Sequence, residues 1–171
     1  ARGQVVWCQL FSEPDAGSDL AGLRTSAVKD GNDWVINGQK IWSTGAHFSD
    51  FGMIVTRTDP NAAKHAGLTY FIVDMKAPGV EIRPIKQING ASGFNTVFFS
   101  DVRVPDANRL GAVGDGWHVA ITTLMNERVA IGGGGPKKKG AGGISQVVQL
   151  WQKRKPGALS AAQEAIMRDR V

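Results

Sequence analysis

Cysteine and long apolar runs are scarce in this sequence. Its 171 residues include one cysteine, Cys8, which excludes an internal disulfide and a cysteine-rich metal site. The longest apolar runs, such as Met53-Ile54-Val55, are far too short to cross a bilayer. No charged-then-apolar leader is visible at the N-terminus. We therefore expect a cytoplasmic protein that has no membrane partner.

Positive charge is scarce outside the C-terminal tail. The net charge is +5, but residues 136–171 hold eight of the 20 basic and only two of the 15 acidic side chains. A nucleic-acid partner would have to bind this tail alone, so we expect none. Lys137, Lys138 and Lys139 follow four glycines and a proline. They are interpreted either as a solvated loop or as a contact for a polyanion.

Metal-ligand spacing is also missing. The three histidines, His47, His65 and His118, stand far apart in the chain, so no metal site is expected. Hydrophobic residues make up 42% and charged residues 20% of the chain, which argues against a disordered protein.

The first two thirds of the sequence predict a mostly β fold. Short β-branched or aromatic runs alternate with turn residues, as is typical of an antiparallel barrel or sandwich. The predicted strands cover Val5–Phe11, Phe51–Thr56, Leu68–Val73 and Thr96–Phe99. A hairpin is predicted at Asn37-Gly38, which separates Trp34–Ile36 from Gln39–Trp42, because Asn-Gly is the strongest short signal for a type I′ turn.

The pattern becomes helical after Pro105. Asp115 is a candidate N-cap for a helix that ends near Gly132. Ser160, with Gln163 at the capping-box position, predicts a second helix that is still in progress at Val171. We therefore expect a barrel or sandwich in the first two thirds of the chain and helices after it.

Two segments combine residue types that suit a cofactor site. Ser12–Asp19 is a Gly-containing turn that could direct backbone N–H groups at a phosphate. Lys40–Gly45 contains Trp42 followed by the hydroxyls of Ser43 and Thr44, which could stack on an aromatic cofactor and hydrogen-bond to its edge. Taken singly, each segment is also compatible with an ordinary polar turn or with a core tryptophan flanked by edge-strand hydroxyls.

Four ordered segments resemble the acyl-CoA dehydrogenase family. Phe11–Asp19 resembles the first signature of that family, and Ile36–Thr44 resembles the second. Phe99–Pro105 is similar to the segment that closes the middle domain, and Asn126–Arg128 to the start of the C-terminal helical domain. The resemblance covers roughly residues 5–135. It implies a β-barrel middle domain between two helical domains. Residues 1–110 would be the middle domain, and residues 111–171 would be the first helices of an incomplete α-helical bundle.

The resemblance also implies a function in fatty acid metabolism. The family consists of FAD-dependent oxidoreductases that act on CH–CH bonds. A carboxylate removes the α-proton of an acyl-CoA thioester, and the β-hydrogen leaves as hydride to flavin N5. Electron-transfer flavoprotein then accepts the electrons, and the full-length proteins are homo-oligomers. By itself the chain would be an inactive fragment.

Site residues follow from the resemblance position by position. Gln9, Phe11 and Ser12 stand where the family contacts the flavin ring through backbone and hydroxyl groups. Trp42 stands where a ring packs beside the isoalloxazine. The remaining positions are Ser43 and Thr44, at the N5 edge of the flavin, and Ser18, shared between cofactor and CoA chain.

Glu127 and Arg128 match a position that carries the catalytic base in some branches of the family. Glu127 would be the base, and Arg128 would lie on the substrate side. Trp117, Ile121 and Leu124 share a helical face with Arg128, and burial beside that face would raise the pKa of a carboxylate. The alternative is that Glu127 is a structural ion-pair partner and that the base lies beyond Val171.

Other functions within this resemblance stay open. The family includes flavin oxidases, flavin monooxygenases and a DNA-binding member, and the chain itself is also compatible with a non-catalytic barrel fragment. Reaction of the reduced flavin with dioxygen would identify the oxidase and monooxygenase classes. The acyl group of the substrate is left unassigned.

Overall fold

The computed structural model describes residues 4–132, 148–149, 151–153 and 160–168. The chain divides into two compact units, Ala1–Asn126 and Glu127–Val171. Lys137, Lys138 and Lys139 lie outside the described residues. The strands are β1 (Trp7–Leu10), β2 (Ser26–Asp30), β3 (Asp33–Thr44), β4 (Phe51–Arg57), β5 (Leu68–Asp74), β6 (Val80–Ile85), β7 (Phe94–Pro105) and β8 (Arg109–Leu110); the α-helices are α1 (Gly116–Gly132) and α2 (Ala161–Arg168).

The strands form one mixed sheet of eight members. Its order is β6-β7-β3-β2-β4-β5-β8, with β1 added beside β4. Most pairs are antiparallel, whereas β1 and β2 both run parallel to β4. The mostly β fold is confirmed. Closure into a barrel is supported only loosely, because no ladder joins β6 to β8 within the described part of the chain.

Strand β5 is buried on both faces. Successive side chains of a strand point to opposite sides, and here Leu68 and Tyr70 join one hydrophobic cluster while Phe71 and Val73 join another. All four side chains are fully buried. The sheet thus has a core on each side of its centre, which gives a rigid base to the loops that leave it.

The predicted hairpin at Asn37-Gly38 is wrong. Both residues lie within the single strand β3, and the turn that precedes β3 is made by Gly31 and Asn32. At Gly38 the register between β3 and β7 shifts, and its φ is +146°. The Asn37 side chain pairs with Asp101, donating to its carboxylate at 2.9 Å and accepting from its backbone N–H at 2.8 Å. This pairing explains how Asn-Gly forms a bulge instead of a turn.

The helices begin as predicted. Asp115 precedes α1, where Gly116 and Ala120 are buried. The hydroxyls of Tyr70 and Thr123 lie 3.2 Å apart. Ser160 and Gln163 form the predicted capping box of α2, since Gln163 N–H donates to Ser160 Oγ at 3.3 Å and Ser160 N–H donates to Gln163 Oε1 at 2.9 Å. In the part of the chain that the structure describes, no helix combines the length and apolar character needed to cross a membrane.

Candidate flavin and substrate site

The two signature segments lie side by side. Ile41 N–H donates to the carbonyl of Ser12 at 2.9 Å, and the Lys40 ammonium donates to the carbonyl of Phe11 at 3.0 Å. These bonds attach the loop after β1 to the end of β3, although the residues that they join are 29 positions apart in sequence. The fold thus assembles one surface from the two motifs.

A buried ion pair joins the same segments. Lys40 is fully buried, and its Nζ lies 2.8 Å from Glu13 Oε1. Glu13 is 9% exposed and accepts backbone N–H groups from Arg24 at 2.7 Å and from Thr25 at 3.0 Å. Every oxygen of this carboxylate therefore has a donor, which is what a buried charge needs.

The environment changes the pKa of both partners. Burial disfavours the ammonium and lowers the pKa of Lys40 to about 8, although the Glu13 charge and hydrogen bond oppose this. Burial of Glu13 would raise its pKa, but the Lys40 charge and the hydrogen bonds from Lys40, Thr25 and Arg24 outweigh burial and lower it. The mutual attraction and the hydrogen bonds of the pair favour the charged form of each partner and oppose the effect of burial.

Trp42 projects from a second bulge in β3. The register with β7 shifts between Lys40 and Ser43, and Trp42 adopts a φ of +60°, which is uncommon for a residue other than glycine. Lys40 and Ser43 both point inward, whereas Trp42 is 57% exposed. Its ring contacts Phe94 edge to face with centroids 6.2 Å apart. The bulge therefore presents a large aromatic ring at the surface.

Ser43 carries an unsatisfied polar atom. Its Oγ is the only buried side-chain N or O atom without a hydrogen-bond partner among the described residues. Its carbonyl accepts from the Asn95 amide at 2.9 Å, and Asn95 Oδ1 lies 3.1 Å from His47 Nδ1. A buried hydroxyl without a partner is unusual in native proteins and invites a ligand group or a water molecule.

The other predicted flavin and CoA residues differ in exposure. Phe11 is buried, with its ring edge to face with Tyr70 at 5.8 Å, and Gln9 and Ser12 are half-buried. Ser18 and Thr44 are exposed. Phe11 can therefore offer a ligand its backbone rather than its ring.

Glu127 and Arg128 belong to the second unit. Both lie in α1, where Glu127 is half-buried and Arg128 is exposed. The apolar face predicted for this helix is only partly buried, because Trp117 and Leu124 pack against the core whereas Ile121 is 39% exposed. The spacing alone did not reveal this, since the buried stripe of α1 passes through the small residues Gly116 and Ala120.

Sequence reasoning assigned no role to three residues that support this surface. Lys40 and Glu13 stood inside the quoted motifs, but their burial as a pair depends on contacts 27 residues apart. Asn95 comes from β7, 52 residues after Ser43. Lys40 follows Gln39 in a strand that holds several polar residues, so no local pattern marked it as buried, and nothing local indicated Asn95.

Comparison with known proteins agrees with this geometry. The family model described as the acyl-CoA dehydrogenase middle domain matches residues 8–102, more than half of the chain. The chain belongs to the acyl-CoA dehydrogenase family. An acyl-CoA dehydrogenase of Mycobacterium tuberculosis, FadE34, is 57% identical over 133 residues, which are 78% of this chain and 19% of that protein. Its relatives are named acyl-CoA dehydrogenases, which are oxidoreductases, so the predicted enzyme class is confirmed for the family.

Solved structures of the family share the fold. The ChsE4–ChsE5 complex from M. tuberculosis is 41% identical with a TM-score of 0.66, over 73% of this chain and 32% of that one. A glutaryl-CoA dehydrogenase from Mycobacterium smegmatis in complex with FADH2 is 31% identical with a TM-score of 0.64, over 74% of this chain and 32% of that one. This acyl-CoA dehydrogenase segment thus spans about a third of the solved relatives.

Proposed function

We propose that this chain supplies the flavin-facing middle segment of an FAD-dependent acyl-CoA dehydrogenase. The observation that carries the proposal is the surface formed where β3 meets the loop after β1. Exposed Trp42 and buried Ser43, whose Oγ lacks a hydrogen-bond partner, are consecutive residues there, and Lys40 and Ile41 bond to the Phe11–Ser12 backbone. An exposed aromatic ring fits the face of a planar cofactor, and the next residue, Ser43, carries a buried hydroxyl that is still available for a hydrogen bond. The complex of a relative with FADH2 supports the choice of flavin.

Each residue has a distinct proposed role. Trp42 packs beside the isoalloxazine, and Ser43 and Thr44 supply hydroxyl groups to its N5 edge. Gln9, Phe11 and Ser12 contact the flavin ring through backbone and hydroxyl groups. Ser18 is shared between the cofactor and the CoA chain. Fixed donors at the N5 edge of the flavin would stabilise the negative charge that develops there during the reaction.

The proposed reaction is α,β-dehydrogenation of an acyl-CoA thioester. Bound FAD would supply a two-electron acceptor for the β-hydrogen, which leaves with its bonding electrons. Glu127 would accept the α-proton, and Arg128 would lie on the substrate side. The Cα–H and Cβ–H bonds break, and the Cα–Cβ bond becomes a double bond. Oligomer formation and reoxidation by electron-transfer flavoprotein are part of the proposal; the ChsE4–ChsE5 complex shows that one relative assembles with a partner.

The test uses a flavin-loaded acyl-CoA dehydrogenase that contains this chain, which we call the holoenzyme. Under anaerobic conditions, acyl-CoA thioesters of several chain types are mixed with the holoenzyme, and the flavin absorption is followed. We expect bleaching with at least one thioester and formation of the enoyl-CoA product. A flavin that no thioester reduces would contradict the dehydrogenase function. Rapid reoxidation of reduced flavin by dioxygen would identify an oxidase.

A further inference from the structure

The Lys40–Glu13 pair connects the two segments of the proposed flavin surface. The Lys40 ammonium donates to Glu13 Oε1 and to the Phe11 carbonyl at 2.8 and 3.0 Å. Glu13 in turn holds the backbone of Arg24 and Thr25. Lys40 lies in β3, which carries the second signature, and its side chain bonds to two residues of the first signature.

Stability alone is a weak reason for burying these charges. The desolvation of a buried pair can exceed the attraction between its members, and replacement by apolar groups of similar volume is often neutral or stabilising. What an apolar pair cannot supply is direction. The ammonium directs separate hydrogen bonds to a carboxylate and a carbonyl, and charge-assisted bonds are stronger than neutral ones.

The position of Lys40 relates this direction to the site. Trp42 follows two residues later, and the bulge that exposes it begins at Lys40. Ile41, between them, bonds to the Ser12 carbonyl at 2.9 Å. The pair therefore fixes the loop backbone directly beside the residue that bears the exposed ring.

We infer that Lys40, held by Glu13, is a positioning residue that sets the Phe11–Ser12 backbone against β3 for FAD binding. The inference rests on the proposed function for the identity of the ligand. It does not make Lys40 a catalytic residue, because its side chain is fully buried and its ammonium donates to the Phe11 carbonyl and to Glu13. The pair acts through the backbone atoms that it holds.

The decisive variant is Lys40→Met, which keeps an unbranched apolar chain and removes every donor. The matched control is Thr56→Val, because Thr56 is also fully buried and its hydroxyl bonds only to the Thr69 carbonyl at 3.3 Å. If Lys40→Met does not fold, the same measurements are made on the double variant Glu13→Gln/Lys40→Met. This variant leaves no unpaired carboxylate charge in the core.

Two readouts separate positioning from general stability. In the chain as it stands, hydrogen exchange at Ile41 N–H is compared with exchange at Ile54 N–H in the core. In the holoenzyme, the dissociation constant of FAD and the flavin absorption band are measured. We expect Lys40→Met to accelerate Ile41 exchange relative to Ile54, and to weaken FAD binding, each by about tenfold or more, as for loss of a hydrogen bond to a charged group.

The outcomes distinguish this inference from the proposed function. Thr56→Val should leave the FAD affinity and the ratio of Ile41 to Ile54 exchange near the parent values. If Lys40→Met, or the double variant, behaves like this control, the pair is only stabilising and the inference is wrong. If the parent holoenzyme itself binds no FAD, the proposed function fails, whatever the exchange of Ile41 shows.

Discussion

At the scale of single residues, the backbone of Trp42 shows how the chain presents a ring at its surface. A φ of +60° costs an L-residue about 1–2 kcal/mol, and the exposed ring recovers little of that cost by burial. Strained residues persist where the surroundings over-determine them, and they cluster at functional sites. At this bulge Lys40 holds one side, and Asn95 holds the other through the Ser43 carbonyl.

Trp42→Ala should therefore change ligand binding more than stability. In the cofactor-free chain, chemical denaturation should show a loss well below the roughly 3–5 kcal/mol expected for truncating a buried aromatic residue. Buried Trp34 provides the matched control, and Trp34→Ala should show that larger loss. In the holoenzyme, Trp42→Ala should weaken FAD retention and shift the flavin absorption band. Normal FAD affinity and spectrum in folded Trp42→Ala would remove Trp42 from the site.

Glu13 should make stability depend on acid pH. Its pKa is lower in the folded state than the value of about 4.3 expected for the unfolded chain. The folded state therefore binds fewer protons, and the stabilisation is complete above about pH 4.3 and is lost as the pH falls through the lower folded pKa. Urea midpoints of parent and Glu13→Gln between pH 7 and 3 check this, with exposed Asp15→Asn as control. Glu13→Gln should flatten the acid limb; parallel curves would contradict the assignment.

At the scale of elements, strands with buried cores were predictable and the long bulged strand was not. β4 and β5 are rich in β-branched and aromatic residues, and their predicted bounds agree with the structure to one residue. β6 was not predicted, because it is short, contains Pro84 and has several exposed side chains, as suits a strand at the end of the sheet order. β3 was divided at Asn37-Gly38 because its partner β7, which makes the bulge, is distant in sequence.

Gly38→Ala should show why β3 needs a glycine at the first bulge. A Cβ there would lie 2.7 Å from the Thr25 Cα, and backbone atoms cannot move away cheaply. Gly31→Ala is the matched control, since Gly31 also has a positive φ but has nothing within 4 Å. Denaturation should show a loss of about 1 kcal/mol for Gly31→Ala and a clearly larger one for Gly38→Ala. Equal losses would contradict the expected cost of placing a Cβ against Thr25.

At the scale of the whole molecule, the resemblance in four motifs was enough to identify the family, but not to explain how its site is supported. The two family signatures contain the residues that form the proposed flavin surface. The Lys40–Glu13 pair and Asn95 hold that surface from behind, through contacts that no local pattern encodes. Burial of a charge or an amide becomes visible only when distant strands are placed together.

The chain alone should bind FAD more weakly than the holoenzyme. It corresponds to about a third of the solved relatives that it matches, and a cofactor of this size is normally enclosed by several elements. The purified chain is titrated with FAD, and flavin fluorescence is followed. The dissociation constant should be much larger than the one measured for the full enzyme from which FAD has been removed. Purification of the chain with stoichiometric bound flavin would contradict this expectation.

Glu127 decides whether the second unit contributes to the chemistry. Removal of an α-proton needs a carboxylate or an equivalent base, and an amide nitrogen cannot accept that proton at neutral pH. In the holoenzyme, Glu127→Gln keeps the shape of the side chain, so saturating acyl-CoA should still bind. The rate of flavin reduction should fall by about 10²- to 10⁴-fold or more, as for loss of a general base, with little change in ground-state binding. Exposed Asn126→Ala, one position earlier in α1, is the control and should reduce its flavin at the parent rate.

Flavin reduction by Glu127→Gln at nearly the parent rate would mean that another residue is the base. Failure of Glu127→Gln to fold or to retain FAD would support the alternative, a structural ion pair.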